Sequence, residues 1–235
     1  MYLSIQMPSS SEPLVFDLDA VEARIIANEQ ATVFHTLITQ AYRHHLGHIY
    51  MDGCVFVTPD KKLVLLVGVS HSGKTTMTFA AVRQLGWKIL AEDRVIINPT
   101  NNHIVRFVHP LSIREGTQEL IEEATGLPPL ELYLNRWLAD TNMFYSDADI
   151  DQAKFSVSIL LEGGGPNIPF RVTNASMGEF LRALLPMSNA LHVDEGPECL
   201  ASFIEQSKYH VVTAGTVGQR LEAFETLTRQ SADRS

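Results

Sequence analysis

The sequence predicts an α/β fold whose sheet mixes strand directions, and three observations carry that expectation. A continuous apolar run, Leu63–Val67, feeds a glycine-bearing loop and then a segment of helical spacing. Unbroken apolar strands of this kind belong to sheets covered on both faces. Short strands joined by tight polar turns, the mark of antiparallel pairing, flank that unit on either side. Helical segments stopped by Gly or Pro then alternate with strands down to the C-terminus. A length of 235 residues with 45% hydrophobic content suits one domain with a small appendage. Residues 1–45 are read as an N-terminal extension packing on the core, and 46–235 as the domain itself.

The first dozen residues are polar and turn-prone, so a loose end or an edge strand is expected there. Between Asp19 and Tyr42 a helix-compatible segment sets Val33, Phe34, Leu37, Ile38 and Ala41 on one face. Val55–Val57 and Leu63–Val67 are strands around the turn-like stretch Thr58-Pro59-Asp60-Lys61-Lys62. After the glycine loop, Met77, Ala80, Ala81 and Leu85 follow helical spacing, and Gly86 supplies the stop. Trp87–Ala91 is a short strand. Val95–Ile97 and Ile104–Val108 form a hairpin around the polar tip Asn98–Asn102. Thr117–Ala124 and Leu130–Ala139 are predicted as helices, separated by Gly126 and Pro128-Pro129, with a loop over Asp140–Asp151. Phe155–Leu161 is a strand entering the core, and Gly163–Pro166 a connection. Ser176 and Glu179 make a capping box that opens a helix ending before Pro186. A helix over Glu198–Glu205, a strand over Tyr209–Thr213 and a helix over Gln219–Arg229 complete the chain.

The loop after Leu63–Val67 fits G-x-x-x-x-G-K-[ST], filled by Gly68, Gly73, Lys74 and Thr75. Glycines at both ends let the backbone turn so that successive N–H groups face phosphate oxygens. Val69, Ser70, His71 and Ser72 are expected to contribute mainly their amides, and Thr76 completes the phosphate-binding set. The helix beginning near Lys74 adds free amides and the positive end of its dipole. Lys74 supplies a mobile cation for the outer phosphates, and the Thr75 hydroxyl a ligand for Mg²⁺. A nucleoside triphosphate with Mg²⁺ is therefore the expected ligand. Glu92 and Asp93 end the strand that follows the loop helix, where a mixed sheet sets them beside the phosphates. One carboxylate there can hold Mg²⁺ and the other can take the proton of an attacking hydroxyl. Asp93 is assigned to the metal and Glu92 to a second metal contact or the base, with the reverse order left open.

Other features exclude function classes. A formal net charge of −9 argues against a broad basic surface for nucleic acid. The sequence has no apolar span of membrane-crossing length and no basic-then-apolar leader, so a soluble cytoplasmic protein without a membrane partner is expected. The two cysteines, Cys54 and Cys199, lack metal-ligand spacing, and Cys54 reads as a core residue. His44, His45 and His48 cluster without a Glu or Cys at helical spacing. Asp147, Asp149 and Asp151 imitate the start of a calcium loop, but Gln152 replaces its glycine and Ser158 its final glutamate.

The succession GVSHSGKTT, helix, then GWKILAEDRVII resembles the HPr kinase/phosphorylase superfamily, whose nucleotide-binding core phosphoenolpyruvate carboxykinases share. In that family a P-loop is followed by a helix, a glycine, a short strand and an acidic pair, often within ADDRV. Here the run is Ala91-Glu92-Asp93-Arg94-Val95. The resemblance runs from about His48 to Arg114 and is general beyond it. It implies a P-loop core with a mixed sheet flanked by helices. It also implies ATP and Mg²⁺ as cofactors, and a hydroxyl-bearing acceptor, most often a serine of a peptide, a protein or a small molecule. The family places a histidine before the strand pair leading into the loop, and His48 matches that place; it either touches the phosphates or acceptor or is structural. Arg114 is available to neutralise transition-state charge, against the alternative of a surface arginine. A homo-oligomer stays open. The competing reading is a nucleotide-binding regulatory or scaffold protein with little or no catalysis, and carboxykinase chemistry is a weaker third.

Overall fold

The computed structural model describes residues 2–5, 14–17, 22–24, 37, 40–42, 47–108, 111–113, 131–133, 136–139, 144–146, 155–164 and 167–230. In chain order the strands and helices are β1 Tyr2–Ile5, β2 Leu14–Asp17, β3 Glu22–Arg24, β4 Ile49–Val57, β5 Leu63–Val67, α1 Lys74–Leu85, β6 Lys88–Ala91, β7 Arg94–Asn98 and β8 His103–Val108. There follow β9 Leu111–Ile113, β10 Glu131–Tyr133, β11 Arg136–Ala139, β12 Phe155–Glu162, β13 Arg171–Asn174, α2 Met177–Leu184, α3 Gly196–Ile204, β14 Lys208–Thr213 and α4 Val217–Gln230. Among the described residues this makes a mixed α/β protein with a nine-stranded central sheet of mixed directions. Its order is β13-β14-β12-β5-β4-β7-β8-β3, with β6 also paired to β4. β5, β12 and β14 run parallel to one another, and β4 runs antiparallel to β5.

Alternation along β5 explains its unbroken apolar sequence. Val64 and Leu66 enter one hydrophobic cluster together with Met77, Phe79 and Phe224, under α1 and α4. Leu63, Leu65 and Val67 enter the opposite cluster with Phe180, Leu184, Leu200 and Phe203, under α2 and α3. A strand buried on both faces has no position for a polar side chain. Trp87 closes the first cluster, with its ring stacked 6.3 Å from Phe224 and tilted 5.5 Å from Phe56. Among the described residues no helix is long and apolar enough to cross a membrane.

Local signals place most elements where they were expected. α1 begins at Lys74 and ends at Gly86, which takes the left-handed conformation at φ 66°. The turn between β4 and β5 is tied by the Thr58 hydroxyl donating to Asp60 Oδ1 at 2.6 Å. At α2, Ser176 Oγ accepts from the Glu179 N–H at 3.2 Å, and the Glu179 carboxylate accepts from the Ser176 N–H at 2.7 Å. That capping box holds the helix that buries Phe180 and Leu184. Ser176→Ala is expected to lower Tm by about 2–4 °C, read by thermal melts followed by circular dichroism.

The helix expected over Leu130–Ala139 is corrected: that stretch contains β10 and β11, paired antiparallel with Leu132 opposite Trp137. β11 pairs in turn with β9, Trp137 opposite Ile113. A partner strand distant in sequence overrides helical spacing there, and the aromatic residues favour the pleated surface. β13 was not expected, because all four of its residues are exposed and carry no alternating pattern. β4 starts at Ile49, earlier than Val55, because its first half pairs with β7. Of the N-terminal helix, residues 37 and 40–42 are helical, while Glu22–Arg24 pairs with β8 as a strand. The helix expected over Thr117–Ala124, His44 and His45, and Asp147, Asp149 and Asp151 lie outside the described residues.

Candidate functional site

β5 ends at Val67, and the chain turns through Gly68–Gly73 into α1. A Cβ on Gly68 would come within 2.4 Å of Leu161 O and 2.7 Å of Ser72 Oγ. The loop is therefore pressed against β12, and no larger residue fits at its start. His71 and Gly73 take positive φ, 68° and 96°, which turns the chain back into the helix. The Ser72 N–H donates to Val69 O at 3.1 Å, and the Met77 N–H closes the first helical turn on Gly73 O at 2.9 Å. The first turn of α1 carries no acidic residue, so no side chain of that turn opposes an anion at its positive end. Gly68→Ala is expected to destabilise the fold by about 1–3 kcal/mol, seen as a lower urea midpoint, because the backbone carbonyl it strikes cannot swing aside.

Lys74 Nζ donates to Gly68 O at 2.6 Å and Val69 O at 3.1 Å, so its ammonium lies over the loop. The Thr75 hydroxyl donates to Glu92 Oε1 at 3.3 Å. The register of β4 explains how a carboxylate seventeen positions away reaches the loop. On one side Gly53 pairs with Val67, the last residue of β5. On the other side Val55 pairs with Ala91, the last residue of β6. Glu92 and Asp93 therefore emerge level with the mouth of the loop, where the Gly53 N–H donates to Asp93 O at 3.4 Å.

The two carboxylates occupy different environments. Glu92 is 2% exposed. Burial, and secondarily the charge of Asp93, pushes its carboxyl up to about 8, while the Thr75 hydroxyl and Lys74 oppose that rise. The Asp93 side chain is 39% exposed and pairs with Arg94 Nη1 at 2.9 Å. Arg94 also reaches Asp52 Oδ1 at 3.1 Å and lies over the Tyr50 ring, 5.3 Å from its centroid. Asp93 itself takes φ 60°, and the Arg94 N–H bonds across it to Glu92 O at 2.6 Å. A tight three-residue turn with positive φ at a non-glycine is strained, and such strain concentrates at functional positions. Cys54 lies behind the pair, accepting from the Thr78 hydroxyl at 3.3 Å. Burial and the nearby Glu92 charge push its thiol up to about 12, so it is a core residue and no nucleophile.

The structure thus brings together Gly68, Gly73, Lys74, Thr75, Glu92 and Asp93. His48 immediately precedes β4, five residues before Gly53. It is buried, with its ring edge-on to Tyr42 at 5.2 Å and its carbonyl accepting from Asn189 Nδ2 at 3.0 Å. Those contacts are structural. Arg114 lies outside the described residues. Val69, Ser70 and His71 are exposed along the loop, and Ser72 is buried beneath it.

One residue escaped sequence reasoning altogether. Arg220 of α4 donates through Nη1 to Ser72 O at 3.1 Å and through Nε to Ala214 O at 2.7 Å. Its Nη1 lies 2.9 Å from where a Cβ on Gly73 would sit. No motif marks an arginine so far along the chain, and only the packing of α4 on α1 brings it in.

Among the described residues no group of three or more His, Cys, Asp and Glu side chains is placed to hold a metal ion. Thr75, Glu92 and Asp93 instead offer one hydroxyl and two carboxylates. That donor set fits Mg²⁺, which keeps several waters and takes the rest of its shell from phosphate.

No family model matches the chain, and no curated protein matches it. Among solved structures it is similar to the Hpr(Ser) kinase/phosphatase from Coxiella burnetii. The two are 16% identical over 77% of this chain and 94% of that one, with a TM-score of 0.37.

Proposed function

We propose that this protein is an ATP-dependent kinase of the HPr-kinase type, transferring a terminal phosphoryl group to a hydroxyl such as that of a serine. The observation that carries the proposal is the register of β4, which sets Glu92 and Asp93 level with a glycine loop bearing Lys74 and Thr75. The glycine loop and the N-terminus of α1 bind the phosphates through backbone amides. Thr75 and Glu92 would hold Mg²⁺, which when bound would offset charge on the outer phosphates. Lys74 moves from its own loop carbonyls to the phosphate oxygens.

Exposure divides the work of the acids. Glu92 is enclosed beside Thr75, while Asp93 stands at the surface where an acceptor can approach. Asp93 takes the hydroxyl proton as the acceptor oxygen bonds to the terminal phosphorus and the bridging P–O bond breaks, leaving the diphosphate. This is the reverse of the order preferred from the sequence, which left both open.

The test is an acceptor screen with γ-labelled ATP and Mg²⁺, run on the wild type and Asp93→Asn. Label is expected on a serine-bearing acceptor with the wild type. The variant should lose at least about 100-fold in transfer rate while binding Mg–ATP within a few fold of normal. Binding without transfer to any acceptor would instead favour a regulatory nucleotide binder.

A further inference from the structure

We propose that the cleft at the C-terminal ends of β12 and β14 holds the base and ribose of the bound nucleotide, with Phe170 as the stacking surface. This inference rests on the reading of Gly68–Thr75 as a phosphate loop, and adds where the rest of the nucleotide lies. The cleft is open to solvent and offers about 500 Å³, a size suited to a small-molecule site. Its lining includes Ile168, Phe170, Gly215, Thr216, Gln219 and Arg220.

Cleft and loop are continuous along one edge of the sheet. Leu160 of β12 pairs with Val67, and Thr213 of β14 pairs with Glu162, all in parallel strands. Ligands of open α/β sheets lie across such strand ends. Arg220 joins the two halves physically, since one guanidinium donates both to Ser72 O in the loop and to Ala214 O in the cleft wall. A triphosphate seated on the loop therefore has its nucleoside end beside Arg220 when it extends toward β14.

The chemistry of the lining matches a heterocycle. Phe170 and Ile168 form its apolar side, and Ile168 is 48% exposed, unusually open for an isoleucine. The Phe170 ring is pressed on Gly215, where a Cβ would meet it at 2.4 Å and where φ is 88°. Only glycine permits that approach, so the ring is held in one place. Thr216 and Gln219, which line the same cleft, cap α4 reciprocally. The Thr216 N–H donates to Gln219 Oε1 at 2.9 Å, and the Gln219 N–H to Thr216 Oγ1 at 3.3 Å. This commits the amide oxygen of Gln219 and leaves its amide hydrogens, with those on Arg220 Nη2, to donate to ring nitrogens or ribose oxygens.

The experiment is calorimetric titration of Mg–ATP and of Mg–tripolyphosphate into the wild type, Phe170→Ala and Phe170→Tyr. Tripolyphosphate occupies the loop without a base, and its binding also reports that each variant is folded. Phe170→Ala is expected to weaken ATP about 10-fold or more while leaving tripolyphosphate within twofold, and Phe170→Tyr to restore ATP. Unchanged ATP affinity in Phe170→Ala, or an equal loss for both ligands, would overturn the base site and leave the phosphate loop standing. Failure of the wild type to bind either ligand would instead sink the phosphate-loop reading, and this inference with it.

Discussion

Lys74→Ala is expected to abolish measurable Mg–ATP binding while leaving the fold intact. The ammonium is hydrogen-bonded over the loop, donating to Gly68 O and Val69 O. Transferred to phosphate it makes charge-assisted hydrogen bonds worth about 1.5–3 kcal/mol each. Losing two of them weakens binding by on the order of 100-fold or more. The stability cost should be small, because the side chain is only half-buried and one of its two carbonyl partners, that of Val69, is exposed. Calorimetric titration beside a thermal melt checks both halves. An affinity within threefold of the wild type would remove the phosphate role from the loop. A melt lowered by more than about 10 °C would mean that Lys74 holds the loop together in its own right.

Glu92→Gln should produce two effects of opposite sign. The carboxyl is pushed up to about 8 from an ordinary value of 4.5, so the folded chain binds this proton more tightly than the unfolded chain does. Below 4.5 both states are protonated and the group costs nothing. As pH rises toward about 8 the unfolded state gives up its proton while the folded state keeps it, and stability falls; above 8 both are ionised and the loss is complete. Glutamine does not titrate and keeps a similar shape. The variant should therefore gain on the wild type as pH rises from 5 to 8.5, reaching a Tm advantage on the order of 5 °C. A Tm difference independent of pH would show that Glu92 is not held protonated.

The same substitution should remove Mg²⁺-dependent tightening of ATP binding, because the amide carries no charge. In the wild type that tightening should strengthen with pH, by up to about tenfold per unit below 8, since metal binding must expel the Glu92 proton. Proton release measured in two buffers of different ionisation enthalpy would register it. On the proposed function the buried acid would couple stability to cofactor, its neutral form suiting the fold alone and its ionised form the metal.

The sequence by itself determined the strand, glycine loop and helix over residues 63–85. Every constraint on that unit is local: apolar residues for a strand covered on both faces, glycines where Cβ has no room, Gly86 to end α1. The capping box at Ser176 was legible for the same reason, since its partners are three residues apart. The acidic pair could be singled out from its place after the helix, but its position beside Thr75 depends on β4 pairing with β5 and β6 at once. Between them β10 and β11 show the limit, because residues spaced for a helix became strands once β9 offered a distant partner. His48 stood at a plausible place in the sequence and was drawn into packing with Tyr42. Arg220 and the cleft beneath it were decided by tertiary structure alone. They depend on how α4 settles over α1 and how β14 aligns with β12, and contacts between segments so far apart leave no spacing in the sequence to read.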